Sequence, residues 1–144
     1  MSESAVVVDT NVFVAAGFNS ESSSARLIEE IRRGGLRLVW NEDTRRESRS
    51  VVEQIPPLSW KPFVDLFREE ARHEAPTASE KVDYVPDPAD RKFAALALAT
   101  DAALITNDTD LLANRDRANV CIVSPSEYFE RRLAAATAAG GNGC

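Results

Sequence analysis

The chain has 144 residues, of which 44% are hydrophobic and 28% charged, enough apolar material for one domain with a core and too much for a disordered polymer. The 17 Lys and Arg against 23 Asp and Glu give a formal charge of -6, which excludes a global positive field for nucleic acid or anionic membrane, so any nucleic-acid contact must be local. No apolar run approaches the roughly 20 residues of a bilayer span, and the N-terminus lacks the basic and apolar regions of a signal peptide, so the expected setting is cytoplasmic, away from membrane.

Val6-Val7-Val8 predicts a buried strand that ends at Asp9 and opens into a loop or a helix. Ser22 to Ser24 precede Leu27, Ile28 and Ile31 at helical spacing, and Gly34-Gly35 stops that helix. Leu36 to Trp40 predicts a second strand, with Asn41 capping a helix that carries Glu42 and Asp43 in its first turn and ends at Pro56-Pro57. A further helix is expected from Ser59, with Trp60, Phe63, Val64 and Phe67 on one core face, and the charged stretch Arg68 to His73 reads as its solvated end. Glu74 to Val85 predicts a loop with a short extended piece at Val82–Val85.

Asp87-Pro88-Ala89-Asp90 starts a helix that runs through Phe93 to about Thr100, with Asp87 as cap and Pro88 at the first helical position. Ala103 to Thr106 predicts a strand, Asn107 to Asp110 a polar turn, and Leu111-Leu112 a short helix. Val120 to Val123 is the last strand, and Ser124-Pro125-Ser126-Glu127 caps the last helix. Short apolar strands alternating with helices predict a three-layer α/β/α sandwich around a central, mainly parallel sheet. One domain is expected over residues 1–137, followed by a flexible tail over 138–144.

Cys121 and Cys144 make neither a disulfide framework nor a zinc pattern, and His73 is the one histidine, so the chemistry is sought among carboxylates. Asp9 and Asp108 follow predicted strands. Asp90 lies in the first turn of its helix and Glu47 about two turns into another, where this topology points both toward the same sheet edge. Four converging acids repel one another unless a cation neutralises them. All-oxygen ligation without histidine or thiolate fits Mg²⁺ or Mn²⁺ rather than zinc. Singly, each acid has an ordinary reading as a cap, a turn residue or part of a solvated face.

Val8-Asp9-Thr10-Asn11-Val12-Phe13, Glu47, Asp87-Pro88-Ala89-Asp90 followed by an alanine-rich helix, and Leu104-Ile105-Thr106-Asn107-Asp108-Thr109-Asp110-Leu111 together resemble the PIN-domain family, close to its VapC-type toxin ribonucleases. The resemblance runs in order from Val6 to about Phe129, and Ser48 departs from it where an apolar residue is usual after the glutamate. It implies a metal-dependent ribonuclease in which Asp9, Glu47, Asp90 and Asp108 are the catalytic and metal-binding acids, with Asp110 as an added metal ligand. Thr10, Asn11 and Thr106 match positions that support such a site through hydrogen bonds. The resemblance also implies an RNA substrate, a cognate antitoxin protein and a homodimer. Arg45, Arg46 and Arg49 beside Glu47, and Arg91 and Lys92 beside Asp90, are candidate phosphate contacts.

Three other classes share parts of this pattern. A receiver-like module needs a lysine after its last strand, where Ser124-Pro125-Ser126 stands. A haloacid-dehalogenase-like phosphatase needs a second aspartate two residues after the first, where Asn11 stands. A catalytically inactive PIN-like module that binds RNA or protein is the stronger rival, and the full set of four acids speaks against it.

Overall fold

The structure is a computed structural model that describes residues 4–137, with side chains to Leu133. The expected tail over 138–144, with Cys144, lies outside the described residues. Four parallel strands, β1 (Ser4–Val8), β2 (Leu36–Leu38), β3 (Ala103–Ile105) and β4 (Ile122–Val123), form one sheet in the order β2-β1-β3-β4. The helices are α1 (Thr10–Phe18), α2 (Ser23–Arg32), α3 (Glu42–Glu53), α4 (Arg91–Thr100), α5 (Thr109–Ala113) and α6 (Pro125–Thr137).

In β1, β3 and β4 apolar side chains point to both faces because both are covered, whereas the edge strand β2 alternates, with Leu36 and Leu38 buried and Arg37 exposed. Val6, Val8, Ile105 and Val123 pack into one cluster with Val12 and Phe13 of α1, Leu27 and Ile31 of α2, and Tyr128 of α6. Val7, Leu104 and Ile122 point the other way, into a second cluster with Phe93 to Ala97 of α4 and with Val82, Val85 and Leu111. The alternation along each strand therefore builds the expected three layers. The chain leaves β1 toward β2, returns across β1 to β3, and continues outward to β4. That reversal makes a topological switch point at the carboxyl ends of β1 and β3, the place where parallel α/β sheets form the crevice that binds their ligands.

Local signals placed most boundaries. Ser22 caps α2 by accepting from Ala25 N, and the stop after α2 uses Gly34 at a positive φ of 87°. Asn41 and Thr44 form a reciprocal capping box at the start of α3, and Glu127 and Ser124 do the same for α6. The open choice after Asp9 resolves to a helix, with Asp9 itself as the cap of α1.

Several expectations are corrected. The aromatic segment after Ser59 is a 3-10 helix over Lys61–Leu66, so its buried face follows a period of three. Trp60, Phe63 and Leu66 point inward against Phe13, and Val64 stands 59% exposed. Val82–Val85 is not extended: a 3-10 turn over Ser79–Val82 buries both valines completely. Helix α3 ends at Glu53, ahead of Pro56-Pro57, and β2 stops at Leu38, with Trp40 making an isolated bridge to Arg72. The last strand is likewise only Ile122–Val123, shorter than the run from Val120. His73 is not a solvated helix end: its N–H donates to Trp40 O, and its Nε2 is buried without a partner. Cys121 is disulfide-bonded, where its sequence setting predicted no disulfide framework.

Candidate active site

Asp9 stands at the end of the central strand β1, 3% exposed, with its own N–H donating to Ile105 O of β3. Its Oδ1 accepts from Thr10 N at 2.8 Å, which fixes the side chain as the α1 cap. Its Oδ2 accepts from Thr106 Oγ1 at 2.8 Å and from Asn11 Nδ2 at 3.3 Å. Thr106, fully buried just past β3, is the hinge of this arrangement: its hydroxyl also accepts from Asp108 N at 2.9 Å and from Asn11 Nδ2 at 3.3 Å. Asn11 Oδ1 accepts from Asn107 N at 2.9 Å, so the turns that follow β1 and β3 are stitched together across the crevice. Asn11 and Thr106 thus reach the Asp9 carboxylate through their side chains, and Thr10 through its backbone N–H.

Thr106→Val keeps the shape of the side chain and deletes one donor to Asp9 and the acceptor of Asp108 N. It is expected to cost about 1–3 kcal/mol in urea unfolding. The Thr106 hydrogen bond also holds the Asp9 titration down, so the same variant should move that titration further up when followed by carboxyl NMR.

Burial pushes the Asp9 carboxyl up to about 6, and the charges of Asp90 and Asp108 push in the same direction. Asp90, half-buried at the entry to α4, is also raised, first by burial and then by Asp87, Asp108 and Glu47, with Lys92 opposing. The two aspartates therefore tie all four acids into one electrostatic neighbourhood. Among the described residues, however, no three acidic, histidine or cysteine side chains form a ready-made cation cage. Asp108 caps α5 by accepting from Asp110 N at 2.8 Å, and Asp110 is exposed. Asp87 caps the turn before α4 by accepting from Ala89 N, as expected.

Glu47 is carried by α3, whose buried positions Thr44, Ser48 and Val52 recur every four residues. Ser48, 1% exposed, shares a 2.9 Å hydrogen bond with Thr10 Oγ1 and so pins α3 to the start of α1. The departure at Ser48 therefore has a structural partner, and the fourfold spacing was its signal in the sequence. Asn107 and Ser24 are further members of the network that the sequence did not single out: Asn107 Nδ2 donates to Ser24 Oγ at 2.9 Å.

The basic side chains near the acids are already engaged. Arg45 pairs with Glu42 at 2.6 Å, Arg46 with Asp43 at 3.3 Å, and Arg49 with Glu53 at 3.3 Å. Arg91 Nε donates to Val85 O at 2.9 Å, and Lys92 Nζ lies 3.1 Å from Glu47 Oε1.

Electrostatically coupled acids at the switch point of a parallel α/β/α sheet define a class of domain. Within that class the PIN domain profile matches residues 5–110, and the chain belongs to the PIN domain family, whose members are in general nucleases that use divalent metal ions. The crystal structure of FitAcB from Neisseria gonorrhoeae shares the fold, with a TM-score of 0.57 and 16% identity over 84% of this chain and 98% of that one. No curated protein matches the chain. No helix among the described residues is long and apolar enough to cross a membrane.

Proposed function

We propose that the protein is a metal-dependent endoribonuclease that hydrolyses RNA phosphodiester bonds as the toxin of a toxin-antitoxin pair. The observation that carries this reading is the buried carboxylate of Asp9 at the switch-point crevice, raised by burial and by two neighbouring aspartates, with no cation of the protein paired to it among the described residues. A set of oxygen donors without histidine or thiolate fits Mg²⁺ or Mn²⁺ in its chemistry. Asp9, Glu47, Asp90 and Asp108 would hold the ion, with Asp110 at the margin. A bound divalent ion supplies an activated water and neutralises charge on the phosphate oxygens.

The protein's own side chains have separate tasks. Thr10 N, Thr106 and Asn11 orient Asp9, so its carboxylate is set before substrate arrives. Ser48 fixes the register that presents Glu47. Arg45, Arg46, Arg49, Arg91 and Lys92 are the candidate phosphate contacts, and each would have to exchange an internal partner for RNA. An acidic crevice also suits a basic side chain from an antitoxin. A homodimer and a cytoplasmic setting follow from the family resemblance.

The test is RNA cleavage by the purified protein in Mn²⁺ or Mg²⁺. Cleavage that chelator stops and fresh metal restores is the expected result, and chelator-resistant cleavage refutes the mechanism. One observation favours the second reading, a binding-only module: Glu47 is occupied by Lys92. That module would retain RNA and yield no products in any metal.

A further inference from the structure

We propose that Lys92 is a tethered counter-cation of the acidic crevice, which positions Glu47 and competes with the divalent ion for it. The inference rests on the metal-site reading above and adds to it a residue that sets the affinity of the site.

Lys92 lies two residues beyond Asp90, on the first turn of α4, while Glu47 projects from α3, 45 positions earlier in the chain. Their 3.1 Å contact is the one ion pair among the described residues that reaches any of the four acids. Neighbouring cations are turned elsewhere: Arg91 to the carbonyls of Val85 and Asp83, and Arg45 and Arg46 to acids of their own helix. The charge of Lys92 also offsets part of the repulsion on Asp90. One ammonium thus serves both acids carried by helices, leaving Asp9 and Asp108 at the strand ends.

The physical consequence is an exchange. Without a divalent ion, Lys92 stabilises a cluster that would otherwise carry uncompensated negative charge. When the ion enters, Glu47 is shared between two cations, and the ammonium repels the incoming charge at short range. The pair is about one-third exposed on each side, with 31% for Lys92 and 33% for Glu47, so the exchange is cheap enough to be reversible. Lysine suits this role because its ammonium is a point charge on a flexible stem, which can swing away without dismantling a planar, bidentate pair.

Calorimetric titration of Mn²⁺ alone into the full-length protein tests this, with Lys92→Met, Lys92→Arg and an Asp9→Asn control. Lys92→Met is expected to bind Mn²⁺ about three- to tenfold more tightly than wild type, and Lys92→Arg, which keeps the charge and can pair bidentately with Glu47, no more tightly than wild type. In chelator Lys92→Met should melt below wild type, and Mn²⁺ should raise its melting temperature by the larger increment. If Lys92→Met does not fold, Lys92→Gln carries the same expectation. Wild-type binding that Asp9→Asn removes, together with equal or weaker affinity in Lys92→Met, overturns the proposal and leaves the metal site standing. No Mn²⁺ binding by either protein overturns the metal-site reading, and the proposal with it.

Discussion

Asp9→Asn is expected to abolish RNA cleavage and, in metal-free buffer at neutral pH, to make the protein more stable. The loss of activity should be at least about 100-fold, since removing even an outer-shell partner of a metal site costs about 10–100-fold. The gain in stability has a separate origin. Keeping Asp9 ionised at pH 7 against a folded-state value of about 6, where an exposed aspartate has 3.8, costs about 3 kcal/mol. Asn keeps an acceptor for Thr10 N but turns an amide donor toward Thr106 or Asn11, which returns part of that gain. A net stabilisation of about 1–3 kcal/mol by urea unfolding in chelator is the expected figure. An inactive variant that is also destabilised would mean that Asp9 serves the fold and not a charged site.

The second large effect is a dependence on pH that runs opposite to the usual acid denaturation. Asp9 has its folded-state value raised above its unfolded one, so the native state binds more protons between about pH 4 and 6. Stability from this group is complete below that window and is lost as pH rises through it, by about 3 kcal/mol in all. Asp90 is raised too and acts in the same direction. Glu127, lowered to about 2 by its ion pair with Arg115 and the Ser124 N–H, acts oppositely and at lower pH: its contribution is present above the unfolded value and lost as pH falls toward 2. The difference between wild type and Asp9→Asn isolates the Asp9 term. Urea unfolding at pH 4 to 7 in chelator should show the wild type falling relative to the variant. Adding Mg²⁺ should restore the wild type more at pH 7 than at pH 4, because the ion binds the deprotonated acids.

The acids at strand ends were legible because β-branched and apolar runs locate parallel strands, and such sheets gather function at their carboxyl ends. Asp9 and Asp108 needed only that rule, and Asp90 needed the Asp-Pro helix start. Capping at Ser22, Asn41, Asp87 and Ser124 was legible for the same kind of local reason. What sequence spacing did not separate was a 3.6-residue period from a 3.0-residue one. Trp60 and Phe63 satisfy both, and only packing against Phe13 selects the tighter turn that buries Leu66 and leaves Val64 outside.

The pairing of Lys92 with Glu47 was equally hidden. It joins residues 45 apart through the packing of α3 on α4, and beside Asp90 a lysine reads as a phosphate contact. Ser48 looked like a departure from pattern because its partner, Thr10, lies 38 residues away. Long-range polar pairs of this kind come from the tertiary fold, whereas caps and strand ends come from the local chain.

The most direct measurement is anomalous diffraction from crystals grown with Mn²⁺. The predicted result is a peak enclosed by the carboxylates of Asp9, Glu47, Asp90 and Asp108, with Lys92 moved off Glu47. A peak remote from Asp9, or ordered Asp9, Asp90 and Asp108 side chains with no peak between them at saturating Mn²⁺, would contradict it.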